Sequence, residues 1–458
     1  MTRAGRGAGG SGRDSLRTQL WPLPALGVVL AVITGVTLPR LDSMLQRDLP
    51  AWLAEYLFSG GAGAARTVLD AIAGSLITVT ALTFSLTVVT LQLASSQFSP
   101  RLLRTFTSDR FVQGTLAVFL ATFTYALTVL RTVRTADSDQ ATFVPQLSVT
   151  LAFVLALASV LTLVLFLSHL ADKIRVETML ANVHADATRN LHRLLPDVSP
   201  RGRAGAPPQL PSPPSDALLL TIDSSGFLTS VDEKALLAAA VDADAVLVVG
   251  QQPGASLIAG TPIGAAWPRA SAAFRPDTET ELREQVRRAI STGPERTGAQ
   301  DIAFGLRQLT DVAAKALSPG INDPTTAIHA MSHSSALLCD MAGRDLGPRL
   351  LHDDDHHLRV ILIRPDLDEL LDLALAQPCL YGAADPAVLT HLLTLLRELA
   401  WHTAPSQHQQ ITYQLARLRA TAEAQDFHPG EHARLAKLAD YVEQAMTGVW
   451  TTATNTDD

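Results

Sequence analysis

Over the first 170 residues the apolar side chains come in four long runs, 20–38, 71–94, 111–130 and 143–170. After them the pattern breaks into short pieces. A helix needs about 20 mostly apolar residues to cross a hydrocarbon core of about 30 Å, so each run predicts a membrane-spanning helix. Arg3, Arg6, Arg13 and Arg17 precede the first run as they would in a signal peptide. No small-x-small cleavage site follows, and the chain continues Pro39, Arg40, Leu41, Asp42, which reads as a retained helix. Apart from His169 at the end of the fourth run, the runs are free of charge, so no intramembrane proton relay is expected.

The fourth run does not end at the membrane. From position 146 to 195 there is neither Gly nor Pro, and Val176, Leu180, Val183, Ala187, Leu191 and Leu194 recur at helical spacing. Unbroken, this is a helix of about 75 Å that projects as a stalk over 171–195. Its stripe packs either on the domain that follows or on the stalks of other copies as a coiled coil. Residues 196–216 hold seven Pro and two Gly and form a linker. Beyond it, short β-type runs at 218–222, 226–231, 245–250, 256–258 and 262–267 give way to helical stretches at 278–291, 301–317, 323–341, 367–376, 387–402, 406–424 and 431–446. One further strand is expected at 358–363.

The expected fold is an α-helical multi-pass membrane domain of four transmembrane helices with a cytoplasmic α+β domain. It divides as a cytoplasmic tail at 1–19, the membrane domain at 20–170, the stalk, the linker, the α+β domain at 217–448 and a disordered tail at 449–458. Arginine places it. The N-terminal tail and the second connection (Arg101, Arg104, Arg110) are denser in basic residues than the third connection, which has Arg131 and Arg134, so both termini are expected in the cytoplasm. A net charge of −8 with no dense basic tract speaks against nucleic-acid binding. Two cysteines, Cys339 and Cys379, cannot build a disulfide framework. The lipid bilayer is the expected partner, with a homo-oligomer through the stalk as a further option.

The segment at 301–327, DIAFGLRQLTDVAAKALSPGINDPTTA, reads as an amphipathic helix, a turn at Ser318-Pro319-Gly320 and a second helix. Ile302, Leu309, Val312, Ala313 and Ala316 share one face; Asp301, Gln308, Asp311 and Lys315 share the other. Asp323 is placed as N-cap with Pro324 at the first helical position. The same geometry offers an alternative, an anionic ligand held at the helix start by Asn322, Asp323, Thr325 and Thr326. With SSQFSPRLLRTF at 95–106 and the four spans, this segment resembles the bacterial family of predicted membrane proteins called domain of unknown function 2254. The resemblance implies a bacterial inner-membrane location and the architecture above, and it carries no reaction.

Other chemistry-bearing patterns have bland readings. The stretch at 254–264, GASLIAGTPIG, looks like the strand-turn-strand of a biotinyl- or lipoyl-type hammerhead, but no lysine sits at its tip and no swinging cofactor is expected. The run His352 to His357 precedes an apolar strand as a solvated loop does, and His329 with His333 lacks acidic companions, so no metal is assigned. Nucleophile elbow, phosphate loop and zinc-protease signatures are absent, which leans the reading away from an enzyme. The second span is the most polar. Thr80, Thr83, Thr87 and Thr90 lie within about 80° on a helical wheel, with Thr78, Ser85 and Gln92 nearly opposite. Those four either pack against neighbouring helices or line a polar path. The leading functional expectation is an oligomeric channel or transport-related protein with a regulatory cytoplasmic domain. A membrane-anchored signalling or scaffold protein, and a membrane-bound enzyme, are the alternatives.

Overall fold

The structure is a computed structural model. It describes residues 21–45, 57–97, 109–134, 143–195, 210–270 and 273–451. The tail at 1–19, most of the linker (196–209), the core of the SSQFSPRLLRTF motif and the last seven residues lie outside the described residues.

Four helices are long and apolar enough to cross a membrane. They are α1 (Pro22–Leu45), α2 (Ala62–Gln97), α3 (Arg110–Leu130) and α4 (Gln146–Ile174). The first two are longer than their charge-free runs. α1 continues through Pro39 and takes in Arg40 and Asp42. α2 begins nine residues before its run and takes in Arg66 and Asp70, reaching about 54 Å. α3 is central, packed against α1, α2 and α4. The closest approach is to α1, where a Cβ at Gly35 would stand 2.8 Å from the Thr128 Cβ, so only glycine fits. Phe119, Tyr125, Ala126 and Val129 of α3 meet Leu69, Ala73, Val149 and Ala152 in the bundle core. Large apolar side chains on the outward faces stay exposed, among them Leu82, Phe84, Phe153 and Leu161.

The expected 50-residue helix is corrected by a break. Arg175 is extended (φ −70°, ψ 128°), and α5 (Val176–Leu194) starts afresh. Contacts divide the chain into two compact units at the same place, 1–175 and 176–458. The stalk therefore splits, and nearly all of it belongs to the second unit. The physical reason is its stripe. Met179, Leu180, Val183, Ala187 and Leu191 are buried, and α5 packs on two helices of its own unit, α8 (Phe304–Ala316) and α9 (Pro324–Ala342). A Cβ at Gly305 of α8 would run into the Ala187 side chain, so a glycine lets these helices touch. Burial of this stripe within the chain favours the packing option over a coiled coil of stalks.

The second unit mixes sheet and helix. β1 (Leu218–Thr221), β2 (Gly226–Val231), α6 (Glu233–Asp242), β3 (Ala245–Val249), β4 (Ser256–Leu257), β5 (Pro262–Pro268), α7 (Pro276–Ala289) and β6 (Ile290–Gly293) come before α8 and α9. β7 (Arg349–His352) and β8 (Leu358–Leu362) follow, then α10 (Leu367–Tyr381), α11 (Pro386–His402), α12 (His408–Glu423) and α13 (Pro429–Met446). One sheet has the order β1-β5-β3-β8-β7, antiparallel except for the β3/β8 pair; the other is β4-β2-β6. The hammerhead reading is corrected here, since β4 and β5 join different sheets and do not pair with one another. Asp232, Asp366 and Asp385 cap α6, α10 and α11 with their carboxylates. In the 301–327 segment the second helix starts where expected. The polar face of the first is not a solvated one, since Asp301 and Gln308 are both buried.

Candidate functional site

The four-helix unit buries a number of polar side chains among its apolar ones. Thr80, Thr83, Thr87 and Thr90 all point into the bundle, as their shared face predicts, while Thr78, Ser85 and Gln92 are exposed on the opposite side. Thr80, Thr87 and Thr90 donate their hydroxyls to carbonyls one turn back, at 2.7, 2.8 and 2.9 Å. This is how a hydroxyl satisfies itself inside a helix. The hydroxyl of Thr83, a residue with 1% exposure, has no hydrogen-bond partner. On α3, Gln113 Nε2 and Thr115 Oγ1 are likewise buried and unpaired. Between α3 and α4, Thr122 and Ser159 meet hydroxyl to hydroxyl at 3.2 Å.

Two carboxylates sit at helix ends of the same unit. Asp42, fully buried in the last turn of α1, reaches the start of α4. Pro145 precedes that helix and has no side chain to cap it. Asp42 does so across the bundle, its Oδ2 accepting from the Ser148 N–H at 3.2 Å and facing the Ser148 hydroxyl at 3.5 Å. The Tyr125 hydroxyl donates to the Ser148 carbonyl at 3.1 Å, closing the cluster. Asp42 Oδ1 is buried without a partner. The four runs are free of charge as read; Asp42 lies beyond the first of them, in the same helix of spanning length.

Asp109 caps α3, accepting the Phe111 N–H at 2.9 Å. His169 Nε2 lies 2.8 Å and Lys173 Nζ 3.5 Å from its other oxygen, and the His169 ring tilts against Phe111 with centroids 4.6 Å apart. Burial pushes the Asp109 carboxyl up, but the His169 hydrogen bond, the Phe111 N–H and the charges of His169 and Lys173 outweigh it and hold it below the usual carboxylate range. From Asp109 to Tyr125 the central helix rises about 24 Å, most of a hydrocarbon core. Sequence reasoning found the threonine stripe and missed Asp42, Gln113, Thr115, Tyr125 and Ser159. Gln113, at helical spacing from Asp109 inside an apolar run, was the signal available.

The second group, Asn322 to Thr326, is brought together as an N-cap. Asn322 sits at φ 50°, and the Asp323 carboxylate accepts from the Thr326 N–H at 3.1 Å and the Thr326 hydroxyl at 2.6 Å, which hold it below its ordinary range. The chain's own carboxylate therefore occupies the amides an anion would use; Thr325 is exposed beside it. In the His352–His357 stretch, Asp353 is spent on Arg359 and on the His357 N–H. Among the described residues no three His, Cys, Asp or Glu side chains are grouped to hold a metal ion.

Four helices of spanning length with a mixed helix-and-sheet unit behind them define a multi-pass membrane protein. The chain belongs to the family described as Predicted membrane protein (DUF2254), whose model matches residues 17–398. An uncharacterised protein of Mycobacterium bovis and one of Mycobacterium tuberculosis H37Rv are each 36% identical over 441 residues, covering 95% of this chain and 82% of the relative. A counterpart from the CDC 1551 strain of M. tuberculosis is 35% identical over the same span. No solved structure matches the chain.

Proposed function

We propose that the four-helix unit is a transport-type module whose polar interior is the route for a small water-borne ion or solute, and that the mixed unit regulates it from the cytoplasm of a bacterial cell. The observation that carries this reading is the set of buried groups left unpaired: Asp42 Oδ1, Thr83 Oγ1, Gln113 Nε2 and Thr115 Oγ1. A bundle that only had to cohere would fill these places with apolar side chains, because a buried unsatisfied polar group costs about 1–3 kcal/mol. Water or a passing solute supplies the missing partners. The arginine bias supports cytoplasmic termini. Assembly of several copies belongs to the same proposal, through the outward stripe Thr78, Ser85 and Gln92 of α2, which a lipid face does not reward.

Reconstitution in liposomes tests the reading. Purified protein should pass at least one of H⁺, K⁺ or Cl⁻ under an imposed gradient, and Gln113→Leu combined with Thr83→Val should suppress that passage while leaving thermal stability in detergent unchanged or higher. A wild type that passes none of them removes the reading.

A further inference from the structure

We infer that Asp42 is a proton-binding site and that the proton is the ion this bundle moves or couples to; the inference rests on the transport reading above and narrows it. Three features of the Asp42 cluster lead there. First, the carboxylate is fully buried in a helix of membrane-spanning length, and although it caps α4, a neutral Asn or Ser would serve as the cap without burying a charge. Second, its two oxygens are unequal. Oδ2 is engaged by the Ser148 N–H and hydroxyl, whereas Oδ1 has no hydrogen bond, so one oxygen holds the group in place and the other is free to be protonated. Third, the surroundings suit a proton and not a metal ion. Among the described residues the site offers, beyond the carboxylate, only the Ser148 and Tyr125 oxygens, where a hard cation takes about six.

Among the described residues no charged group compensates Asp42. Arg40 on its own helix is exposed, and Arg66 of α2 gives its guanidinium to the Val133 carbonyl at 3.0 Å. Tyr125 and Ser148 face the carboxyl from α3 and α4, and both are neutral donors engaged on Ser148 O and Asp42 Oδ2. The step balances with water as sole co-reactant. A hydronium ion gives its proton to Oδ1, an O–H bond forms, and the ion leaves as water; release to water reverses it. Through this step the buried charge is removed while the Ser148 N–H keeps its acceptor on Oδ2, so protonation changes the charge inside the bundle without uncapping α4.

The test uses the full chain in liposomes with an entrapped pH-sensitive dye, the membrane voltage clamped by a potassium gradient and ionophore, and an acid pulse applied outside. Wild type should acidify the lumen, Asp42→Asn should do so at least ten-fold more slowly, and Asp42→Glu should retain passage. Asn keeps the shape and the acceptor for Ser148, so its melting temperature in detergent should stay near wild type. If the Asn variant fails to fold, Ser148→Ala takes its place, and it should shift the pH at which proton entry is half-maximal. An Asp42→Asn protein as fast as wild type, an unshifted Ser148→Ala profile, or a wild type that passes K⁺ or Cl⁻ but no protons overturns the inference and leaves the polar route standing. A wild type inert to every ion overturns both.

Discussion

Hydroxyls and carboxylates in this chain divide by whether their partner is local, distant or missing, and the consequences of removing them differ accordingly. Thr122→Val breaks a contact between helices, with Ser159, and should cost about 0.6 kcal/mol, read as a lower melting temperature in detergent. Thr83→Val removes a buried hydroxyl with no partner and should be neutral or stabilising in the same assay. In the second unit, burial pushes the Asp353 carboxyl up, but the Arg359 hydrogen bond and charge and the His357 N–H outweigh it and hold it at about 2. A carboxyl depressed on folding contributes stability that is complete above its unfolded value near 3.8 and lost as pH falls toward 2. Acid titration of the unit at 176–458 should show that loss between about pH 4 and pH 2, and Arg359→Met should flatten it. At this scale the sequence was legible where periodicity speaks. The threonine stripe could be read because its residues recur on one helical face inside an apolar run. Asp42 could not, because Pro39 and Arg40 before it looked like the end of a span, and its partner Ser148 lies 106 positions away.

Helices make their own demands where they meet. Gly305 lets α8 touch α5 at Ala187, so Gly305→Ala should lower the stability of the second unit by about 1–3 kcal/mol in urea melts, as overpacking of a close contact does. Because α5 belongs to that unit, a fragment starting at position 176 should be more stable than one starting at 217. Proteolysis within 196–216 should leave the two pieces associated until denaturant is added. Equal stability of the two fragments would contradict the packing of α5. Most helices of the second unit were legible from caps and apolar spacing. The break at Arg175 was not, because no Gly or Pro marks it and the cause is tertiary, the pull of the α5 stripe onto α8 and α9. The strands β6 and β7 were not read from the sequence, since β6 (ISTG) follows directly on α7 and neither it nor β7 (RLLH) alternates apolar with polar positions.

Taken whole, the chain joins a bundle of four spanning-length helices that buries polar side chains to a unit of capped helices and mixed sheet. The proposed orientation makes a direct prediction. Cysteines introduced at Arg134 and Ala424, in a background lacking Cys339 and Cys379, should differ in intact cells, the first reacting with an impermeant thiol reagent and the second only after permeabilisation. A wetted polar interior admits small charged reagents, and cysteine accessibility in the membrane-embedded protein reads that wetting. Cysteines at Thr83, Gln113 and Thr115 should react with a small charged thiol reagent at least ten-fold faster than a cysteine at the outward-facing Leu82, which is 58% exposed on the apolar surface of the bundle. Reaction at the three interior positions no faster than at Leu82 would show a dry interior and contradict the account.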